Sequence, residues 1–314
     1  MFDTKLGLYS MWAIMAGVFC IVGFGAIAIA PAFTSAPTEG VGAMLEKPFD
    51  NPEDIGNSVQ TFLVAMGGAL AIGLLMGGFL RWILKKEIKV AVRVIVSICV
   101  FMILSVTFAA IATTVWGTSL GPWGWGALAV ALVVTVLQYV YPEYWVIDVV
   151  SILAAVGISA LIGSSLGIVP AVILLILFST YDFIAVLCTG WMKKMAQGSA
   201  DLKLPSMFIL PYDLRTSYLS STLNMGDSRK NFLILGTGDL VFPTVLAVSA
   251  TFAFSNSLVS GSIMICIVVA YSVMYGMLKG YPEKFKLLPG LPFLCGGAIF
   301  GMILSCFLLG ISWL

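Results

Sequence analysis

The chain has 314 residues, of which 60% are hydrophobic and 10% charged, and its net charge is +1. An average globular chain carries about 25% charged residues, so the charged fraction here is unusually low. Together with a mean hydropathy of +1.07 over the whole length, it predicts a protein embedded in lipid. The absence of histidine excludes Ser-His and Cys-His nucleophile pairs and HExxH zinc sites, and the near-zero charge gives no support for a nucleic-acid partner.

Nine apolar segments are each long enough for a helix that crosses a bilayer, which needs about 20 residues. The sequence therefore predicts an all-α, polytopic membrane protein with nine transmembrane helices. The predicted spans are roughly 9–33, 58–80, 92–115, 123–141, 145–163, 168–191, 231–253, 257–278 and 287–312.

The positive charges predict the orientation of these helices. If nine spans alternate across the membrane, fifteen of the sixteen lysines and arginines fall on one side, and Lys47 is the exception. Since cytoplasmic loops carry the excess of positive charge, we expect a cytoplasmic N-terminus and an outside C-terminus.

The predicted organisation is one functional domain in three parts. Residues 1–191 hold helices 1–6, residues 192–230 form a cytoplasmic loop, and residues 231–314 hold helices 7–9. Within the loop, Leu204–Pro211 has an apolar centre between prolines. This pattern is typical of a short segment that lies at the membrane surface or re-enters the membrane. It suggests either a cover over the mouth of an active site or an interfacial linker.

Three aspartates lie in predicted spans, where a charged side chain costs a few kcal/mol and is a functional candidate by default. Asp148 follows Tyr144 by four residues, so it can snorkel or cap at the cytoplasmic interface, which favours a structural role. Asp182 and Asp239 lie 9 and 8 residues from the cytoplasmic ends of the sixth and seventh spans. At about 1.5 Å per residue, two consecutive antiparallel helices would bring both carboxylates to one depth.

Two carboxylates at one level can perform acid–base chemistry together. One ionised carboxylate can act as general base on a water while the other, protonated, polarises a scissile carbonyl. Like charges a few ångströms apart do not both ionise easily, so the pair titrates as a unit. This chemistry needs no histidine, metal or organic cofactor, so we expect no cofactor and no metal site.

Residues beside the aspartates support this interpretation. Gly236 and Gly238 remove side chains next to Asp239 and permit close approach of a helix or an extended peptide. Pro243 leaves the Asp239 carbonyl without its usual helical partner. Tyr181 offers a hydroxyl, although adjacent helical residues diverge by about 100°.

The residues alone leave two other interpretations open. Paired intramembrane aspartates also occur as ion or proton relays, so an ion- or proton-coupled transporter or channel is the alternative function. A purely structural pairing of the two side chains is the other. Elsewhere, the spacings Gly73-x-x-x-Gly77 and Gly297-x-x-x-Gly301 predict close helix packing.

Three motifs together resemble the presenilin/signal peptide peptidase family of GxGD intramembrane aspartyl proteases. They are Tyr181-Asp182 in the sixth span, Gly236-Thr237-Gly238-Asp239 in the seventh, and Pro289-Gly290-Leu291 at the start of the ninth. The third motif of the family is Pro-Ala-Leu, and Gly290 stands here in place of its alanine.

The resemblance implies an aspartic endopeptidase with Asp182 and Asp239 as catalytic residues. Pro289, Gly290 and Leu291 would then shape the active site or receive substrate. The implied partners are transmembrane or signal-peptide substrates and the lipid bilayer. The orientation matches presenilins, and the compact loops resemble a microbial, archaeal homologue, which would place the protein in the cell membrane. A second copy of the chain, in a homo-oligomer, is a further candidate partner.

Overall fold

The computed structural model describes residues 8–34, 89–116, 122–186, 205, 207–211, 232–254, 256–280 and 289–310. The second predicted span, 58–80, and the Gly73–Gly77 spacing lie outside these residues. So does most of the 192–230 segment.

The described part of the chain is mostly helical, and in each predicted span other than the second most of the described residues are helical. Six of these helices are long and apolar enough to cross a membrane, and the fourth and sixth contain shorter apolar stretches. The helices are α1 (Leu8–Ile29), α2 (Pro31–Thr34), α3 (Lys89–Trp116), α4 (Pro122–Val140), α5 (Tyr144–Ser165), α6 (Ile168–Ile184), α7 (Thr237–Phe254), α8 (Ser257–Gly280) and α9 (Gly290–Leu309).

A two-stranded sheet corrects the prediction of an all-α fold. Strand β1 (Met207–Pro211) pairs antiparallel with β2 (Phe232–Gly236), and Ile209 is the partner of Ile234. The seventh helix therefore begins at Thr237 rather than at 231. A short apolar run does not by itself distinguish a strand from a helix, and here pairing with β1 decides in favour of the strand.

Helix α7 lies at the centre of the bundle. It packs against α1, α5, α6, α8 and α9, and its side chains from Thr244 to Ala250 are all buried. Pro243 lies inside the helix, where neighbouring helices can compensate for the missing backbone hydrogen bond. The helix that carries Asp239 is thus held on several sides.

Close packing of α9 on α8 confirms the prediction made from Gly297 and Gly301. A Cβ atom at Gly297 would lie 2.5 Å from the Cβ of Ala270, and one at Gly301 would lie 2.9 Å from the Cβ of Cys266. Small residues let helix backbones approach within a membrane. This contact fixes α9, whose first turn reaches the aspartates.

Candidate active site

Asp182 lies two residues before the end of α6 and its side chain is only 2% exposed. Its Oδ2 accepts a hydrogen bond from the backbone N–H of Leu291 at 3.3 Å. Leu291 is in the first turn of α9, where backbone N–H groups have no partner within the helix. The carboxylate of Asp182 therefore satisfies one of these free donors and links α6 to α9.

Asp239 lies in the first turn of α7, three residues after the end of β2. Its carboxylate lies close to two glycines on different elements. A Cβ atom at Gly236 would be 3.3 Å from Asp239 Oδ2, and one at Gly290 would be 3.1 Å from the same oxygen. The missing side chains allow the backbone of β2 and that of α9 to approach the carboxylate together.

The first turn of α9 brings the two aspartates into one site. Leu291 contacts Asp182 and its neighbour Gly290 faces Asp239. The carboxylates lie within electrostatic range of each other and of Cys295, one turn further along α9 and 1% exposed. Two carboxylates so placed can share a proton and act on one substrate carbonyl.

The position of Asp239 within its helix differs from the prediction. Both were expected well inside long helices, 9 and 8 residues from the cytoplasmic ends. In the structure Asp239 is the third residue of α7, because residues 232–236 form β2. The Asp239 side chain therefore lies at the start of α7, and Gly236 of the sheet lies directly beside it.

The remaining predicted site residues fall into two groups. Gly236, Gly290 and Leu291 lie against the two carboxylates, and Pro289 is the buried residue that precedes α9. Gly238 instead faces Phe242 of its own helix. The Tyr181 side chain is 53% exposed, so its orientation differs from that of buried Asp182, and its role stays a prediction.

A stacked pair of phenylalanines next to the site was not anticipated from the sequence. The rings of Phe178 and Phe242 lie 4.1 Å apart between centroids and 23° from parallel. Phe178 is four residues before Asp182 and Phe242 is three residues after Asp239. Each ring thus shares a helix face with a site carboxylate, and this spacing is the signal that could have identified the pair.

The described residues contain no group of three or more histidine, cysteine, aspartate or glutamate side chains placed to hold a metal ion.

The model of one protein family matches nearly the whole chain. It is described as signal-peptide peptidase, presenilin aspartyl protease, and it matches residues 16–311. No curated protein sequence matches the chain significantly.

The solved structures that share the fold include two of a presenilin family intramembrane aspartate protease. The structure in space group C222 has 24% sequence identity and a TM-score of 0.60, over 94% of this chain and 96% of that one. The structure in space group P2 has 25% identity and a TM-score of 0.62, with the same coverage.

These matches agree with the motifs and do not favour a transporter. Members of the family act on transmembrane substrates in the bilayer. The chain belongs to the signal-peptide peptidase and presenilin aspartyl protease family, and it is a multi-pass intramembrane aspartyl protease.

Proposed function

We propose that Asp182 and Asp239 are the catalytic pair of this protease and that they hydrolyse peptide bonds in transmembrane or signal-peptide substrates. The observation that carries the proposal is that both carboxylates meet at the first turn of α9, with Leu291 against one and Gly290 against the other. This arrangement supports general acid–base catalysis by two carboxyl groups in one site.

In the proposed reaction, the ionised carboxylate removes a proton from a water as its oxygen attacks the scissile carbonyl carbon. The protonated carboxyl group transfers its proton to the carbonyl oxygen, which becomes a hydroxyl of a tetrahedral intermediate. The C–N bond then breaks, the proton taken from the water passes to the leaving amine, and one hydroxyl of the intermediate returns its proton to the other carboxylate as the new carbonyl forms. The products are a carboxylic acid and an amine, and the pair returns to sharing one proton.

The first turn of α9 has a positioning role in this proposal. The N–H of Leu291 fixes the rotamer of Asp182 through its hydrogen bond. Gly290 gives Asp239 room for its carboxylate because its Cβ position is 3.1 Å from Oδ2. Pro289, as the residue before the helix, has a fixed φ angle that directs the turn towards the site.

A transmembrane substrate has to be unwound locally before it is cut, because a helix holds its carbonyl groups in backbone hydrogen bonds. Water has to reach the carboxylates, and we propose that it enters from the cytoplasmic side. Strand β1 belongs to the segment expected to cover the mouth of the site. Its pairing with β2, which leads directly into α7, supports that role.

We further propose nine transmembrane helices, a cytoplasmic N-terminus and an outside C-terminus. In this organisation residues 1–191 and 231–314 each carry one aspartate of the proposed catalytic pair, and residues 192–230 form the cytoplasmic loop between them. The distribution of lysine and arginine supports this topology. In a prokaryote, the protein would reside in the cell membrane.

The test uses the purified full chain with a spanning-peptide reporter. The unmutated protein is expected to cleave it, while Asp182→Ala and Asp239→Ala are each expected to lose cleavage and still fold, as a cooperative melting transition would show. Cleavage by either folded variant would remove that aspartate from the mechanism. A parent that leaves the peptide intact yet moves ions across liposomes would support the transporter instead.

A further inference from the structure

A third intramembrane aspartate, Asp148, lies outside the catalytic pair, and its environment differs from the prediction. It was expected to snorkel or cap at the membrane interface, but its side chain is only 9% exposed. Its Oδ1 accepts a hydrogen bond from the backbone N–H of Ile209 at 2.9 Å, and Ile209 is 1% exposed. Burying a carboxylate costs free energy that an apolar residue would avoid, so Asp148 is a candidate for a functional role.

The contact joins α5 to the sheet beside the active site. Ile209 is the central residue of β1 and the partner of Ile234 in β2. Two pairs further along, Met207 lies opposite Gly236, which is the residue next to the carboxylate of Asp239. A short path of backbone pairs therefore leads from Asp148 through the sheet to the catalytic segment.

Helix α5 also holds the segment that follows the sheet. It packs extensively against α7, and the Ser159 hydroxyl donates to the Val241 carbonyl at 3.4 Å. The helix thus supports both the strand pair before Asp239 and the helix after it. Without an acceptor at position 148, the buried N–H of Ile209 would lose the partner observed here, and an unpaired buried amide favours a shift of the strand.

We propose that Asp148 is a positioning residue for the protease reaction. Its carboxylate anchors β1, the sheet then sets the backbone at Gly236, and Asp239 is thereby held in its reactive geometry. This inference rests on the proposed catalytic role of Asp239.

The experiment compares Asp148→Asn and Asp148→Leu in the purified full chain, using the spanning-peptide reporter. Asparagine keeps a side-chain oxygen that accepts the Ile209 N–H, whereas leucine has similar size and no acceptor. We expect Asp148→Leu to lower kcat about 10- to 100-fold, the range that a misplacement of about 1 Å can cause. We expect its KM, and the kcat of Asp148→Asn, to stay within about threefold of the parent.

Ser249→Ala is the matched control. The Ser249 hydroxyl donates to the Leu166 carbonyl at 2.8 Å, so this variant removes a tertiary hydrogen bond to a backbone group, away from the sheet. It should lower the melting temperature and leave kcat unchanged. If Asp148→Leu does not fold, Asp148→Ser replaces it, because the serine side chain is too short to reach the Ile209 amide.

The outcomes separate this inference from the proposed function. Parent-like kcat in Asp148→Leu, or an equal loss of kcat in the Asn and Leu variants, would overturn the anchoring role while cleavage by the parent upholds the protease. A parent that does not cleave, or cleavage by folded Asp239→Ala, would overturn both.

Discussion

At the residue scale, a backbone N–H group and two glycines lie against the proposed catalytic pair. Asp182 is held by the N–H of Leu291, and the carboxylate of Asp239 lies between the backbone at Gly236 and that at Gly290. Backbone amides orient a carboxylate without adding a positive charge, so two neighbouring carboxylates keep the mutual repulsion that favours a shared proton. For these backbone groups to approach the carboxylate of Asp239, positions 236 and 290 have to lack side chains.

Gly290 is the residue at which this space can be tested. Gly290→Ala places a methyl group 3.1 Å from Asp239 Oδ2, and a small rotation of the carboxylate relieves the contact, so we expect kcat to fall by less than about tenfold. Gly290→Val adds two more methyl groups at this position, and we expect cleavage to be lost. The measurement is kcat on the peptide reporter, together with the melting temperature.

Gly296→Val is the control for this pair of variants because Gly296 lies on the same helix with open space at its Cβ. It should cleave at the parent rate. If Gly290→Val also cleaved at the parent rate, the close approach of α9 to Asp239 would not matter for catalysis.

The two aspartates of the candidate site could be selected from the sequence, but their contacts could not be predicted. Asp182 and Asp239 are conspicuous because charged side chains are expensive within apolar spans. The contact of Gly290 with Asp239 and that of Asp148 with Ile209 join positions far apart in the chain. Such contacts depend on how the helices pack, which a single sequence does not reveal.

At the element scale, α6 and α7 have to be held at a spacing that suits the two carboxylates. The stacked rings of Phe178 and Phe242 connect the two helices within one turn of Asp182 and Asp239. Lipid provides no hydrophobic driving force between helices, so packing contacts of this kind determine how they associate. The ring pair is therefore expected to influence catalysis without touching the substrate.

Phe178→Ala and Phe242→Ala are each expected to lower kcat because the helices lose their spacer next to the site. The double variant should be little worse than either single variant, since both remove the same contact. In the free energy of unfolding, the expected interaction between the two substitutions is about 0.5–1.5 kcal/mol, typical of an aromatic pair. Phe300→Ala, on a ring that is 61% exposed, is the control. Fully additive effects of the two substitutions would contradict this role.

The helices were predictable from hydropathy, whereas the sheet was not. An apolar run of about 20 residues in a chain this hydrophobic has few alternatives to a helix. Phe232–Gly236 is a run of the same apolar character that continues into α7, so the sequence merges it with the helix. The strand forms because β1 pairs with it. Strand β1 lies in the segment that was expected at the membrane surface.

At the scale of the whole molecule, the charge distribution predicts which side of the membrane each terminus occupies. A fluorescent reporter that matures only in the cytoplasm should be active at the N-terminus and inactive at the C-terminus. A phosphatase active only outside the cytoplasm should give the opposite pattern, since an odd number of spans places the termini on opposite sides. Cytoplasmic signals from both termini would contradict nine spans.

The central claim is that Asp182 and Asp239 act as one catalytic unit, and a double-substitution experiment tests it most directly. Asparagine at each position preserves size while removing the acid–base function. The cleavage rate of the reporter is measured for Asp182→Asn, Asp239→Asn and the double variant, all with parent-like melting temperatures. We predict a loss of at least about 100-fold in each single variant and no further loss in the double variant. Substantial cleavage by either single variant, or a double variant far slower than both, would contradict the account.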